Sequence, residues 1–238
     1  LDRDTSIQLI GERRSGKSSL INCAVNSIKN NFHNNKTIVF KINFKSHSKS
    51  KGNHKGYLLL ASHFLMALND IQDVWDKNHN ITVRGKKFSK QKNIDGYIKY
   101  FENSNWKSSK LLFKALMEKF INNDYRVYLF IDEYEFMVMH TFKSSAGALH
   151  SLRDCMADYN NFCCLISGAR TWDKIAQDIG SDDFNLFDYQ VYVGPLNQKD
   201  CEYFVKQAFR NVQEVETSQV HDLKNKIYSI SGGMPYLL

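Results

Sequence analysis

The segment Ile7-Gln8-Leu9-Ile10-Gly11-Glu12-Arg13-Arg14-Ser15-Gly16-Lys17-Ser18-Ser19 constrains this chain more than any other. It reads G-x-x-x-x-G-K-S, with a short apolar run before it and an amphipathic stretch after it. That is the setting of a phosphate-binding loop. A strand feeds a glycine turn, and the turn opens a helix. Backbone N–H groups of the turn and of the first helical turn then converge on an anion. Gly11 and Gly16 let the backbone curl closely around it. Arg14, Ser15, Gly16, Lys17, Ser18 and Ser19 are the remaining loop residues expected at the phosphates. Lys17 can reach the β- and γ-phosphates, and Ser18 can ligate Mg²⁺. The alternative is a glycine turn in an ordinary α/β unit.

The rest of the chain alternates apolar runs with helical spacing, which predicts an α/β fold. Strands are expected at 5–10, 37–42, 127–131, 162–166 and 189–193, giving a five-stranded, mostly parallel sheet flanked by helices. Helices are expected at 17–30, 57–72, 107–122, 144–159 and 172–179. Residues 43–56 read as a lysine-rich loop. Residues 73–106, rich in Asn and Lys, read as an insertion with one or two short helices. After Pro195 the pattern turns helical, at 198–211, at 217–230 and again after Pro235. The expected division is a nucleotide-binding core over 1–195 and a truncated helical lid over 196–238.

The run Val127-Tyr128-Leu129-Phe130-Ile131 closes in Asp132-Glu133, the Walker B arrangement. A buried strand delivers both acids to the ligand end of a parallel sheet. Asp132 is expected to hold Mg²⁺ opposite Ser18, and Glu133 to polarise the attacking water as general base. Glu135 is the competing base, and a helix-capping or surface acid is the plain reading of Glu133. The fourth strand runs into Ser167-Gly168-Ala169-Arg170. A polar residue and a cation there can sense the γ-phosphate, or the arginine can simply cap a turn. Ser231-Gly232-Gly233-Met234-Pro235-Tyr236 makes a rigid turn with Pro235 placed to start a helix.

Taken together, G-E-R-R-S-G-K-S-S-L, the strand closing in Asp-Glu, S-G-A-R, G-P-L-N and the terminal G-G-M-P-Y-L-L resemble the STAND class of P-loop ATPases. These are AAA-related (ASCE) regulators, and the resemblance here is to the prokaryotic type. It covers nearly the whole chain in order and is weakest between 43 and 122. It implies ATP or ADP with Mg²⁺ as ligands, with Lys17 and Ser18 on the phosphates and metal and Asp132 and Glu133 as the Walker B acids. It also implies Arg170 as the arginine reading the γ-phosphate and Pro235 as the lid proline near the adenine. The implied function is a slow, regulatory ATPase switch, with nucleotide state controlling lid position and homo-oligomerisation. Fused sensor and effector domains, a protein trigger and a role in antiviral defence follow from the same resemblance. The alternative is a DNA-associated AAA-type ATPase of the origin-binding or transposition-helper kind. A small-substrate P-loop kinase fits less well, because the Asp132-Glu133 tandem suits water activation.

Thirty-two basic against twenty-five acidic residues give +7, a mild excess. The lysines at 41, 45, 49, 51 and 55, and the cations at 84, 86, 87, 90 and 92, form two stretches that read as solvated loops or as a surface for a polyanion such as nucleic acid. The five cysteines include no C-x-x-C pair and read as reduced, buried thiols of a cytoplasmic protein. No run approaches the ~18–20 apolar residues of a membrane span. The abrupt start at Leu1-Asp2-Arg3-Asp4 and the apolar end at Tyr236-Leu237-Leu238 suggest a piece of a longer protein.

Overall fold

The structure, a computed structural model, describes residues 6–31, 36–47, 53–68, 80–83, 86–89, 106–141, 146–181, 186–208 and 225–234. Strand β1 (Ile7–Ile10) leads through the glycine loop into helix α1 (Lys17–Asn31). Then come β2 (Thr37–Asn43), a 3-10 turn (Phe44–His47) and α2 (Asn53–Ala67). A hairpin of β3 (Asn80–Val83) and β4 (Lys86–Ser89) precedes α3 (Trp106–Ile121) and β5 (Arg126–Asp132). The chain continues through the short α4 (Tyr134–Phe136), a π-helical turn (Met137–Thr141), α5 (Ala146–Asp158) and β6 (Phe162–Gly168). It ends with α6 (Trp172–Asp178), β7 (Tyr189–Tyr192), α7 (Gln198–Ala208) and α8 (225–231).

The five expected strands form one sheet in the order β2-β5-β6-β1-β7. Every pairing in it is parallel, so the sheet is more uniform than expected. β6 lies between β1 and β5, separating the loop strand from the acid strand. All strand C-termini face one edge, where ligands bind in open parallel sheets.

Alternation of side chains along each strand divides the apolar residues between two faces. Val127, Leu129 and Ile131 join Ile38, Phe40, Ile42, Cys164 and Ile166 under α2 and α3. Tyr128 and Phe130 join Leu9, Val39 and Cys163 on the face covered by Ile21 and Ile28 of α1. The first core is the larger. Phe64 stands at its centre, with ring centroids 5.3 Å from Phe40 and 5.5 Å from Phe120. Such contacts add about 0.5–1.5 kcal/mol beyond area burial.

Three expectations differ from the structure. α2 begins at Asn53, inside the stretch read as loop, because apolar spacing marks only the buried turns of a helix. Within the 73–106 insertion the described residues form the antiparallel hairpin β3–β4, which was not expected, and the start of α3, while the segments left for the expected short helices lie outside the described residues. The β-branched run Ile81-Thr82-Val83 explains the strand. Lys119 of α3 donates to the Thr82 carbonyl at 2.9 Å, which ties the hairpin down. Cys23 is exposed on α1, whereas Cys155, Cys163, Cys164 and Cys201 are buried as expected. Among the described residues no helix is long and apolar enough to cross a membrane.

At the C-terminal side, Leu196 N donates to Gly233 O at 2.8 Å, and Gln198 Nε2 to Asn225 Oδ1 at 3.2 Å. Gly233 has φ 76, and a Cβ there would strike the Leu196 carbonyl, so the turn after α8 requires glycine at this point. The remainder of the expected 217–230 helix and Pro235 lie outside the described residues.

Burial pushes the Cys155 thiol up to about 12 and the Cys164 thiol well above its usual range. In the unfolded chain both would ionise near 8.5. Their contribution to stability is complete below that value and is lost as pH rises through the folded values. The urea midpoint should therefore fall between pH 8 and pH 10.5, and substitution of Cys155 and Cys164 by Ala should flatten that fall relative to wild type.

Candidate functional site

The loop after β1 is shaped by what a side chain could not enter. A Cβ on Gly11 would collide with the Val193 carbonyl and lie 2.8 Å from Ser15 Oγ. Arg14 and Gly16 both have positive φ, 70° and 96°, and these two reversals curl the loop. Gly11 N donates to the Gly168 carbonyl at 3.2 Å, joining the loop to the end of β6. Lys17 opens α1 with its ammonium folded under the loop. It donates to the carbonyls of Gly11 and Glu12, each at 2.7 Å, and sits 3.5 Å from Ser15 Oγ. Above it is a pocket of about 270 Å³ lined by Arg13, Arg14, Gly16, Lys17, Ser18, Ser19 and Glu133. Three cations against one carboxylate suit a polyanion.

Asp132 closes β5 beside this pocket and is 2% exposed. Its Oδ2 accepts from Ser18 Oγ at 2.8 Å and from Asn43 Nδ2 at 3.2 Å, and its Oδ1 accepts from Ser167 Oγ at 2.5 Å. Lys41 Nζ lies 4.0 Å from Oδ2 while donating to Asn22 Oδ1 at 2.7 Å. A hydroxyl and a carboxylate so joined, at the rim of an anion pocket, are the donor set of a hard, oxygen-seeking cation such as Mg²⁺.

Glu133 adopts the left-handed conformation (φ 55, ψ 51) between β5 and α4. For a non-glycine residue this costs about 1 kcal/mol, and such outliers cluster where a side chain must be aimed. Its carboxylate lines the pocket and lies 4.0 Å from Lys45 Nζ. Glu135 has a different fate. It accepts from the backbone N–H of Ala169 and, at 3.0 Å, from that of Arg170. A Cβ on Gly168 would collide with this carboxylate, which accounts for the glycine.

Arg170 is not brought to the pocket. Its guanidinium pairs with Asp178 of α6. Its carbonyl accepts from Tyr134 Oη at 2.8 Å and from Gln8 Nε2 at 3.3 Å, and Gln8 Nε2 also reaches Tyr134 Oη at 3.2 Å. Burial, reinforced by the Glu135 charge, pushes the Tyr134 phenol well above its usual range, so it remains a donor. Thus the structure gathers Gly11, Arg14, Ser15, Gly16, Lys17, Ser18, Ser19, Asp132 and Glu133 at one sheet edge. Pro235 lies outside the described residues. Arg13, Asn43, Lys41 and Lys45 join the site without having been anticipated there, and Ser167 bonds to Asp132, which its place after a core strand did not foretell. Lys41 and Lys45 were visible only as members of a lysine-rich stretch, and Ser167 only as part of S-G-A-R.

No protein-family model matches this sequence, and neither does any curated protein. Solved structures do resemble it. The Walker-type ATPase PABY2304 of Pyrococcus abyssi superposes with a TM-score of 0.62 at 16% identity, covering 99% of this chain and 61% of that one. The Aeropyrum pernix ORC2 protein in its ADP form gives 0.60 at 10% identity, covering 96% and 53%. Drosophila ORC bound to DNA gives 0.52 at 11% identity, covering 95% and 51%. At such identities the likeness shows the fold, that of an α/β P-loop NTPase. The chain spans between half and about three-fifths of the length of these neighbours.

Ser167 donates to a buried carboxylate, a charge-assisted bond whose removal costs about 1.5–3 kcal/mol. Ser167→Ala should lower the unfolding free energy by about that amount, read from urea denaturation with no nucleotide present.

Proposed function

We propose that this protein binds and hydrolyses ATP with Mg²⁺ as an AAA-related P-loop ATPase. The observation that carries this reading is the 2.8 Å hydrogen bond from Ser18 of the glycine loop to Asp132 of the acid strand. Each motif alone is common, whereas the two joined beside a cationic pocket have few other uses. The adenine nucleotide named for the Aeropyrum neighbour supports ATP as the ligand.

Lys17 and the loop amides would hold the phosphates, and Ser18 with Asp132 would hold the metal, which when bound neutralises phosphate charge. Glu133 accepts a proton from water as the water oxygen bonds to the γ-phosphorus. The bond from that phosphorus to the β–γ bridging oxygen breaks, and its electron pair leaves on ADP. Glu135, held by the backbone of the β6–α6 loop, keeps that loop in place rather than serving as the base. Residues 196–238 form a lid whose position follows the nucleotide, supported by the contact of the turn after α8 with Leu196. The family resemblance would put Pro235 near the adenine and would have Arg170 leave Asp178 to read the γ-phosphate. The finer reading is a STAND-type switch in which nucleotide state controls oligomerisation, with trigger and effector domains elsewhere in the protein.

A DNA-associated ATPase is the second reading. The DNA-bound Drosophila neighbour and the lysine-rich stretches favour it. Genuine phosphate contacts would make DNA affinity fall steeply with salt. A DNA-independent change of oligomeric state between ADP and ATP would instead support the switch.

Lys17→Ala should abolish ATP binding measured by calorimetry with Mg²⁺. Glu133→Gln should leave the dissociation constant within about threefold and lower phosphate release by about 10²–10⁴-fold. Normal turnover by Glu133→Gln would transfer the base role to Glu135.

A further inference from the structure

Lys41 places a charge on a face of β2 that packs against a helix. Ile38, Phe40 and Ile42 face the larger core and Val39 the smaller one, so Lys41 shares the α1 face with Val39 and Asn43. It stands opposite Phe130 of β5, itself a member of the smaller core. An ammonium persists in such a place only where it is solvated or compensated. Its side chain is 26% exposed, and its Nζ lies 4.0 Å from Asp132 Oδ2. That Nζ donates to Asn22 Oδ1 at 2.7 Å. Asn22 is one helical turn after Ser18, which donates to the same Asp132 oxygen at 2.8 Å. The ammonium is thus held beside the carboxylate, beyond hydrogen-bond length, by a side chain of the helix that also carries Ser18. Lys41 does not line the pocket with Arg13, Arg14 and Lys17, so its charge bears on the acid.

From this placement we propose that Lys41 is a positioning residue, a resident counter-charge to Asp132 that sets how tightly Ser18 and Asp132 take a divalent cation. The inference rests on the ATPase reading above, which assigns those two residues to the metal. In the metal-free protein the ammonium offsets the buried carboxylate. When a divalent cation arrives, two like-signed ions share one carboxylate, and each weakens the hold of the other. Charges this close, partly shielded from water, shift a binding constant by about tenfold or more. The empty site therefore takes the free ion poorly. Phosphates entering beside the metal add the negative charge that both cations need, so metal and nucleotide bind together. Lys41 forms no covalent bond and transfers no proton in this role.

The test titrates Mn²⁺ into nucleotide-free protein at fixed ionic strength, with the unbound ion read by electron paramagnetic resonance. Lys41→Met should tighten Mn²⁺ binding by at least about tenfold. A damaged fold would weaken binding, so a gain separates electrostatics from misfolding. Lys41→Arg keeps the charge and should stay within about threefold of wild type. Lys36→Met removes the same charge just before β2, where Lys36 Nζ lies 3.8 Å from Asp124, and should also leave affinity within about threefold. Adding Asp132→Asn to Lys41→Met should abolish the gain. By linkage, Mg²⁺ should raise the urea midpoint of Lys41→Met more than that of wild type. Three results overturn the proposal: affinity in Lys41→Met weaker than wild type or within about threefold of it, equal tightening in Lys36→Met, or tightening that survives Asp132→Asn. Any of these, with ATP binding intact by calorimetry, leaves the ATPase reading standing. Absence of ATP binding by the wild-type protein overturns that reading instead.

Discussion

The carboxylate of Asp132 lies almost wholly out of water, and a buried charge persists only where donors surround it. Here the donors come from three other elements: Ser18 from α1, Asn43 from β2 and Ser167 from β6. The sheet register makes this arrangement available. Asn43 stands directly opposite Asp132 on one side, and Ser167 directly opposite on the other. A slip of one residue in either pairing would turn the donor to the opposite face of the sheet. The same carboxylate therefore fixes strand register, anchors the first turn of α1 and sets the level at which the glycine loop stands.

Around this centre, three acids within four positions have three separate fates. Asp132 is saturated by hydroxyl and amide donors. Glu133, turned by its left-handed backbone, remains on the pocket wall beside Lys45. Glu135 is tied to the N–H groups of Ala169 and Arg170, with no space for a side chain at Gly168. Tyr134, between the last two, binds the Arg170 carbonyl from the other side and shares Gln8 with it. The turn after β5 and the turn after β6 thus form one hydrogen-bonded unit, and β1 is pinned to it through Gln8. Such a unit holds the pocket edge of the sheet in place before any ligand arrives, so little reorganisation would accompany binding.

Much of this was legible in the chain. β5 and α1 follow from an unbroken apolar run and from helical spacing after a glycine loop, both strong local signals. Their joint placement at one edge follows from parallel sheet topology. The partners of Asp132 were not legible in the same way. Asn43 and Ser167 are distant in sequence and ordinary in type, and only register brings them to the acid. Arg170 read from its position as either a phosphate sensor or a turn-capping arginine, with the family resemblance favouring the sensor, yet its guanidinium pairs with Asp178, a residue that no local pattern marks. The strands of the β3–β4 hairpin are four residues each, too short a run for their alternation to announce them. The exposed face of α1 likewise gave no reason to single out Cys23 from the other thiols.

That last residue has a practical consequence. Four thiols are sealed within the protein, and Cys23 alone faces solvent. It lies six positions after Lys17 on the same helix, a rise of roughly 9 Å. Maleimide chemistry on the native protein would therefore place a single fluorophore on the helix that starts at the glycine loop. The natural sequence already carries an attachment point for following events at the rim of its glycine-loop pocket by light.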